Sequence, residues 1–117
     1  MFRFDDRALR RAGLDYWKSV DFHFHEGLEE LQAYLGSARL LYFTARPEFP
    51  SCLDFSFRPD DCLVFGPESC GFTLEFLKVH REDVLSIPMR SGQVRSLNLA
   101  TAVAVGVYTA MRQLRMF

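Results

Sequence analysis

Apolar and polar positions change period several times along the chain, and each change marks an element. From Gly27 to Leu35, Leu28, Leu31 and Leu35 recur at helical spacing and Gly36 follows, which predicts an amphipathic helix closed by a glycine. Arg39-Leu40-Leu41-Tyr42-Phe43-Thr44 reads as a buried strand. Cys62 to Phe65 is an unbroken apolar run, the pattern of a strand covered by helices on both faces. Thr73 to Val79 fits a short helix and Val84 to Ile87 a third strand. Ser96 is read as the cap of a long C-terminal helix that is apolar nearly all round, and such a helix is buried in the fold or in a subunit interface. Nearer the start, Asp5 and Asp6 offer a cap for a helix through Ala12, Gly13 ends it, Leu14 to Trp17 form a packed turn and Ser19 to Phe24 are extended. Strand, helix, strand, helix in this order predicts an α/β domain with a mainly parallel sheet and helices on both faces.

The stretch from Ala45 to Asp61, with Pro47, Pro50 and Pro59, is long for a connection in a compact domain and is expected to be functional or topologically special. A length of 117 residues with 49% hydrophobic content gives one domain, 1–117, with a real core.

Charge narrows the range of partners. The formal net charge is −1, so no broad basic face is expected, and nucleic-acid contacts would be local. The candidates are Arg3, Arg7, Arg10, Arg11 and Lys18 near one end and Arg90, Arg95, Arg112 and Arg115 near the other. Cys52, Cys62 and Cys70 are too few and too oddly spaced for a disulfide framework or a zinc site, which fits a reduced, cytoplasmic setting. Met1 to Asp6 turns acidic at once, unlike a signal peptide. The longest apolar stretch, Leu97 to Ala110, is broken by Asn98, Thr101 and Thr109 and is shorter than the ~20 residues of a bilayer span.

Two segments carry the chemistry. In Leu63-Val64-Phe65-Gly66-Pro67-Glu68-Ser69-Cys70-Gly71 a strand stops at Gly66, where a ligand or a neighbouring backbone can come close. Pro67 then fixes the loop and Gly71 frees a turn. An ordinary strand-to-helix turn uses the same residue types. In the second segment, Ile87-Pro88-Met89 ends a strand, a basic loop runs from Arg90 to Arg95, and Ser96 and Asn98 sit at a helix start, where free N–H groups suit a carboxylate. Strand ends of this kind are how an α/β sheet presents a ligand.

Together with Arg10-Arg11-Ala12-Gly13-Leu14-Asp15-Tyr16-Trp17, these segments resemble, in order and over essentially the whole chain, the SpoU-type (SPOUT) RNA 2′-O-methyltransferases. Within that family they look like the TrmL-type branch, which methylates the ribose of the wobble cytidine or uridine, C34/U34, of tRNA. The resemblance implies an α/β trefoil knot with the last helix threaded through an earlier loop, S-adenosylmethionine bound in the knot, a homodimer, and the tRNA anticodon stem-loop as partner, with no metal and no membrane. Carried over by position, the cofactor site comprises Phe43, Thr44, Gly66, Glu68, Ile87, Met89, Ser96, Leu97 and Asn98. Glu68, Ser96 and Asn98 would serve the reaction, and Arg10, Arg11, Arg95 and Tyr108 would meet RNA.

The sequence departs from the family at one important place. The family opens with a strand and helix bearing Pro-x-Asn-x-Gly-Asn-x-x-Arg, a string found nowhere in these 117 residues, and Met1 falls where that unit has ended. The expected fold is therefore an N-terminally truncated one. The missing Arg is the residue usually assigned to activate the ribose hydroxyl, a weak nucleophile until its proton is removed. Two functions follow as alternatives: methyl transfer to tRNA, or a catalytically silent remnant or fragment that keeps cofactor binding and dimerisation. His23 and His25 alternate with Phe22 and Phe24, so they share a face, read as polar and solvated rather than metal-binding because no third ligand is evident. Cys70 is read as structural, since no motif places a histidine for it.

Overall fold

The computed structural model describes residues 21–66, 71–89 and 98–117. They belong to two compact units, Met1–Gly36 and Ser37–Phe117. The expected helix of residues 5–12 and the turn after it lie outside the described residues, as do the stretches 67–70 and 90–97 that would carry the expected knot.

In the first unit an extended segment leads into helix α1, Leu28–Leu35. Its N-cap is Gly27, which has no side chain to offer. Glu30 compensates by reaching back to the Glu26 amide at 3.4 Å, and Glu29 and Glu30 both favour the positive end of the helix. Gly36 ends the helix with φ of +65°, a backbone state that glycine adopts without a Cβ penalty. His23 and His25 lie on one face, as alternation requires, with ring centroids 5.0 and 4.8 Å from that of Tyr34. His23 Nε2 also bonds Asp21 and the Tyr34 hydroxyl. Among the described residues no group of three potential ligands is placed to hold a metal.

The second unit is a three-stranded parallel sheet ordered β2-β1-β3, from β1 (Leu40–Thr44), β2 (Cys62–Phe65) and β3 (Val84–Ser86). β1 is central, pairing Leu40 to Cys62 through Phe43 to Phe65 on one side and Tyr42 to Val84 through Thr44 to Ser86 on the other. Alternation along β1 assigns its side chains to opposite faces. Tyr42 meets Phe76 and His80 of the helix α2 (Leu74–Val79) region, with centroids 5.0 and 4.8 Å away. Leu41 and Phe43 join Cys52, Phe57, Leu85 and Ile87 in the core on the other face, against Ala102, Val105 and Ala110 of helix α3 (Leu99–Gln113). Helices therefore cover both faces, as the sequence predicts. β2, though continuous in hydrophobicity, is only half-buried, whereas β3 on the other side of β1 is buried throughout.

One sequence expectation changes. The cap of the C-terminal helix is Asn98 and not Ser96: the Asn98 side-chain oxygen accepts hydrogen bonds from the Ala100 and Thr101 amides, and helical backbone begins at Leu99. Ala102, Val105, Gly106 and Ala110 turn inward, whereas Val103, Val107 and Tyr108 remain exposed.

The long connection after β1 is tied down at both ends. It contains a 3-10 turn, Cys52–Asp54, capped by Ser51. Arg39 closes it with a two-pronged bond to Asp61 at 2.9 and 2.7 Å, and stacks on Phe55 at 4.8 Å. Asp61 is nearly buried; burial raises its affinity for a proton, but the Arg39 hydrogen bond, the Arg58 amide and the charges of both arginines outweigh this and hold the carboxyl below its usual range. Gln113 clamps the same connection to the end of α3, donating to the Phe55 carbonyl and accepting from the Phe57 amide.

Candidate functional site

All three parallel strands end at one edge of the sheet, and the sequence-assigned residues collect there. Thr44 closes β1, and its carbonyl accepts from the Ile87 amide at 3.0 Å just past β3. Phe43 lies beside Phe65 in register, the rings stacked 4.7 Å apart at 22°, and Gly66 follows immediately. Phe43, Thr44, Gly66 and Ile87 are thus brought together by strand pairing, with Met89 two residues beyond Ile87.

Gly66 is required by close approach. A Cβ there would stand 2.8 Å from the Phe72 amide nitrogen and 2.9 Å from the Gly71 carbonyl carbon, both backbone atoms that cannot swing aside. The chain after β2 therefore doubles back against the strand end, turning at Gly71 with φ of +64°.

α3 reaches the sheet through a second glycine that sequence reasoning passed over. A Cβ on Gly106 would meet Phe65 Cζ at 2.9 Å and Phe43 Cε2 at 3.2 Å, so the helix lies directly on the stacked ring pair. A lone glycine within an Ala/Val helix is the signal that could have found it. Asn98 caps this helix with its oxygen, so its side-chain NH2 is the part of the group that could serve a ligand. Glu68, Arg95, Ser96, Leu97, Arg10 and Arg11 lie outside the described residues. Tyr108 does not join the strand-end group: it is on the exposed side of α3, its ring 5.6 Å from that of Phe117.

At this edge backbone groups stand beside Phe43 and Ile87, which are buried, and half-buried Met89 follows. Burial pushes the Cys52 and Cys62 thiols up, so neither is a ready nucleophile.

The family model for SpoU rRNA methylases matches residues 1–108. The chain belongs to the SpoU methylase family. A curated relative from Lactococcus lactis subsp. cremoris is 35% identical over 96% of this SpoU chain and 68% of its own length. One from Yersinia pestis, named a tRNA (cytidine(34)-2′-O)-methyltransferase, is 37% identical over 97% of the chain and 72% of its own. A solved structure described as giving insight into 2′-OH methylation of C/U34 on tRNA superposes with a TM-score of 0.84 at 45% identity. That match covers 99% of the SpoU chain and 74% of the solved one. The parallel α/β architecture is that of these SpoU neighbours. No helix among the described residues is long and apolar enough to cross a membrane.

Proposed function

We propose that residues 1–117 form one tRNA 2′-O-methyltransferase domain that moves a methyl group from S-adenosylmethionine to the ribose 2′-hydroxyl of nucleotide 34, C34 or U34. The observation that carries this reading is the convergence of Phe43, Thr44, Gly66 and Ile87 at the carboxyl edge of a parallel sheet, in a chain of the SpoU family whose relatives are named for that reaction.

The edge fits the cofactor in kind: apolar walls for an adenine, backbone groups for its edge, and an amide at a helix start for a carboxylate. Phe43, Thr44, Gly66, Ile87, Met89 and Asn98, with Glu68, Ser96 and Leu97, would hold it. S-adenosylmethionine, when bound, supplies an electrophilic methyl on a sulfonium. The chain's own residues must orient the ribose hydroxyl and accept its proton. Glu68 is the carboxylate assigned to assist that proton transfer, and Ser96 and Asn98 are assigned to the same step. Arg10, Arg11, Arg95 and Tyr108 are assigned to the anticodon stem-loop, cations toward phosphates and the tyrosine toward a base. The trefoil knot and a cytoplasmic location accompany this reading. A homodimer does too, supported by the exposed apolar residues Val103 and Val107 on the outer side of α3.

A second reading is a cofactor-binding, dimerising module without transfer. One observation favours it: no Asn-x-Gly-Asn-x-x-Arg string occurs in the sequence. Transfer of labelled methyl to tRNA, measured beside calorimetric binding of S-adenosylhomocysteine, separates the two. Transfer supports the enzyme. Binding without transfer sinks it in favour of the module, and loss of both sinks the pocket assignment.

A further inference from the structure

Ser86 is buried as a whole residue, 4% exposed in an otherwise apolar core. A buried hydroxyl that is not paired destabilises the fold, so its partners show what it is for. Its Oγ donates to the Phe49 carbonyl at 2.9 Å, and the Pro50 carbonyl lies at 3.3 Å. The Ser86 amide donates to that same Pro50 carbonyl at 2.7 Å. Phe49, Pro50 and Ser51 thereby lie along the outer side of β3, with Ser51 and Ser86 forming a parallel bridge. Proline has no amide hydrogen, so a regular ladder cannot continue through residue 50, and a side chain takes up the carbonyl that a ladder would leave open.

Ser86 also faces Thr44 across β1, in the last paired row before the strands end. The next residue, Ile87, bonds the Thr44 carbonyl, and the Arg46 amide bonds the Thr44 hydroxyl at 3.2 Å. The buried serine therefore holds the 49–51 end of the loop to β3, while the Arg46 amide ties the other end to Thr44.

We propose that Ser86 is a positioning residue for the cofactor site, holding the 45–51 loop as a wall beside Thr44 and Ile87. The assignment rests on the S-adenosylmethionine reading above. Without the hydroxyl the Phe49 carbonyl loses its buried donor, the loop is held only by the Ser86 amide to Pro50 and the Ser51 bridge, and the wall is less firmly preformed when ligand arrives.

Ser86→Ala should weaken S-adenosylhomocysteine binding about tenfold, equivalent to about 1.4 kcal/mol. Ser86→Thr, which keeps the hydroxyl, should bind close to the unsubstituted protein. Gln113→Ala serves as the control, because its two bonds go to Phe57 and Phe55 and not to the 45–51 segment, and it should lower thermal stability without changing that affinity. Hydrogen exchange gives a readout that a general loss of stability does not move: Ser86→Ala should speed exchange of the 45–51 amides while those of β1 stay protected. If Ser86→Ala does not fold, Ser86→Cys, with its weaker S–H donor, carries the same test with a smaller loss. Unchanged affinity in Ser86→Ala, or an equal loss in Gln113→Ala, overturns the Ser86 assignment while leaving the cofactor reading intact. No binding by the unsubstituted protein overturns both.

Discussion

Changing Asn98 to aspartate should leave the fold intact and weaken S-adenosylhomocysteine binding, whereas changing it to alanine should weaken both. The two effects separate because the side chain has two ends. Its oxygen accepts from the Ala100 amide at 2.9 Å and, more weakly, from the Thr101 amide at 3.4 Å, which caps α3. Alanine loses that cap, a cost of about 1 kcal/mol, which for a domain of this size lowers the thermal midpoint by roughly 4 °C. Aspartate keeps the acceptor and adds a negative charge at the positive end of the helix, worth roughly 0.3–1 kcal/mol in favour of folding. Its midpoint should match or exceed that of the unsubstituted protein. Both changes remove the NH2 donor, leaving a ligand acceptor unpaired at roughly 1–3 kcal/mol, or roughly 5- to 150-fold in Kd. Aspartate adds repulsion toward a ligand carboxylate. Scanning calorimetry without ligand and titration calorimetry with S-adenosylhomocysteine read the two quantities independently. If Asn98→Asp binds with the original affinity, the amide makes no contact in the site and the carry-over of this residue is wrong.

Three further outcomes are expected. Gly66→Ala should reduce S-adenosylhomocysteine affinity at least tenfold, since its Cβ would press on the backbone at Gly71 and Phe72 and the loop must open; undiminished binding would show that this loop takes no part. Gly106→Val should destabilise the fold by about 2 kcal/mol in urea unfolding, because α3 would be pushed off the Phe43–Phe65 stack, and an unchanged midpoint would mean that the helix tolerates the shift. Asp61 titrates below the ordinary value of 3.8 in the folded chain, so its contribution is fully present above that pH and disappears as pH falls through the lower folded value. Asp61→Asn should therefore cost roughly 1–3 kcal/mol at neutral pH and flatten the stability profile below about pH 4, as read from chemical unfolding across acid pH; an acid limb as steep as before would assign that slope to other carboxylates.

What could be read along the chain was what local chemistry decides. Leu28, Leu31, Leu35 and the closing Gly36 specify a helix because a 3.6-residue period and a left-handed stop act within a few positions. Thr73 was legible as the opening of α2 for the same reason, and its hydroxyl does accept from the Phe76 amide. The C-terminal cap shows the limit of that reading. Ser96 and Asn98 are both good capping residues two positions apart, and propensity does not choose between them. The choice falls to Asn98, at the start of the helix that meets Phe43 and Phe65 at Gly106.

The strand ends before Gly66 and Ile87 were legible, since Gly and Pro punctuate apolar runs wherever a strand stops. The strand order was not. β3 pairs with β1 across the whole of β2 and α2, and nothing in either segment names its partner. Ser86 looks like any serine in a strand until Phe49 and Pro50 arrive beside it from 37 and 36 residues away. Arg39 and Asp61, and Gln113 with Phe55 and Phe57, are similarly distant pairs. The sequence by itself determined which elements form and in what order, and the family. Only the tertiary structure decided which residues hold the strand-end edge in place, because a hydrogen bond depends on ångström-scale placement of groups that the chain brings together after folding.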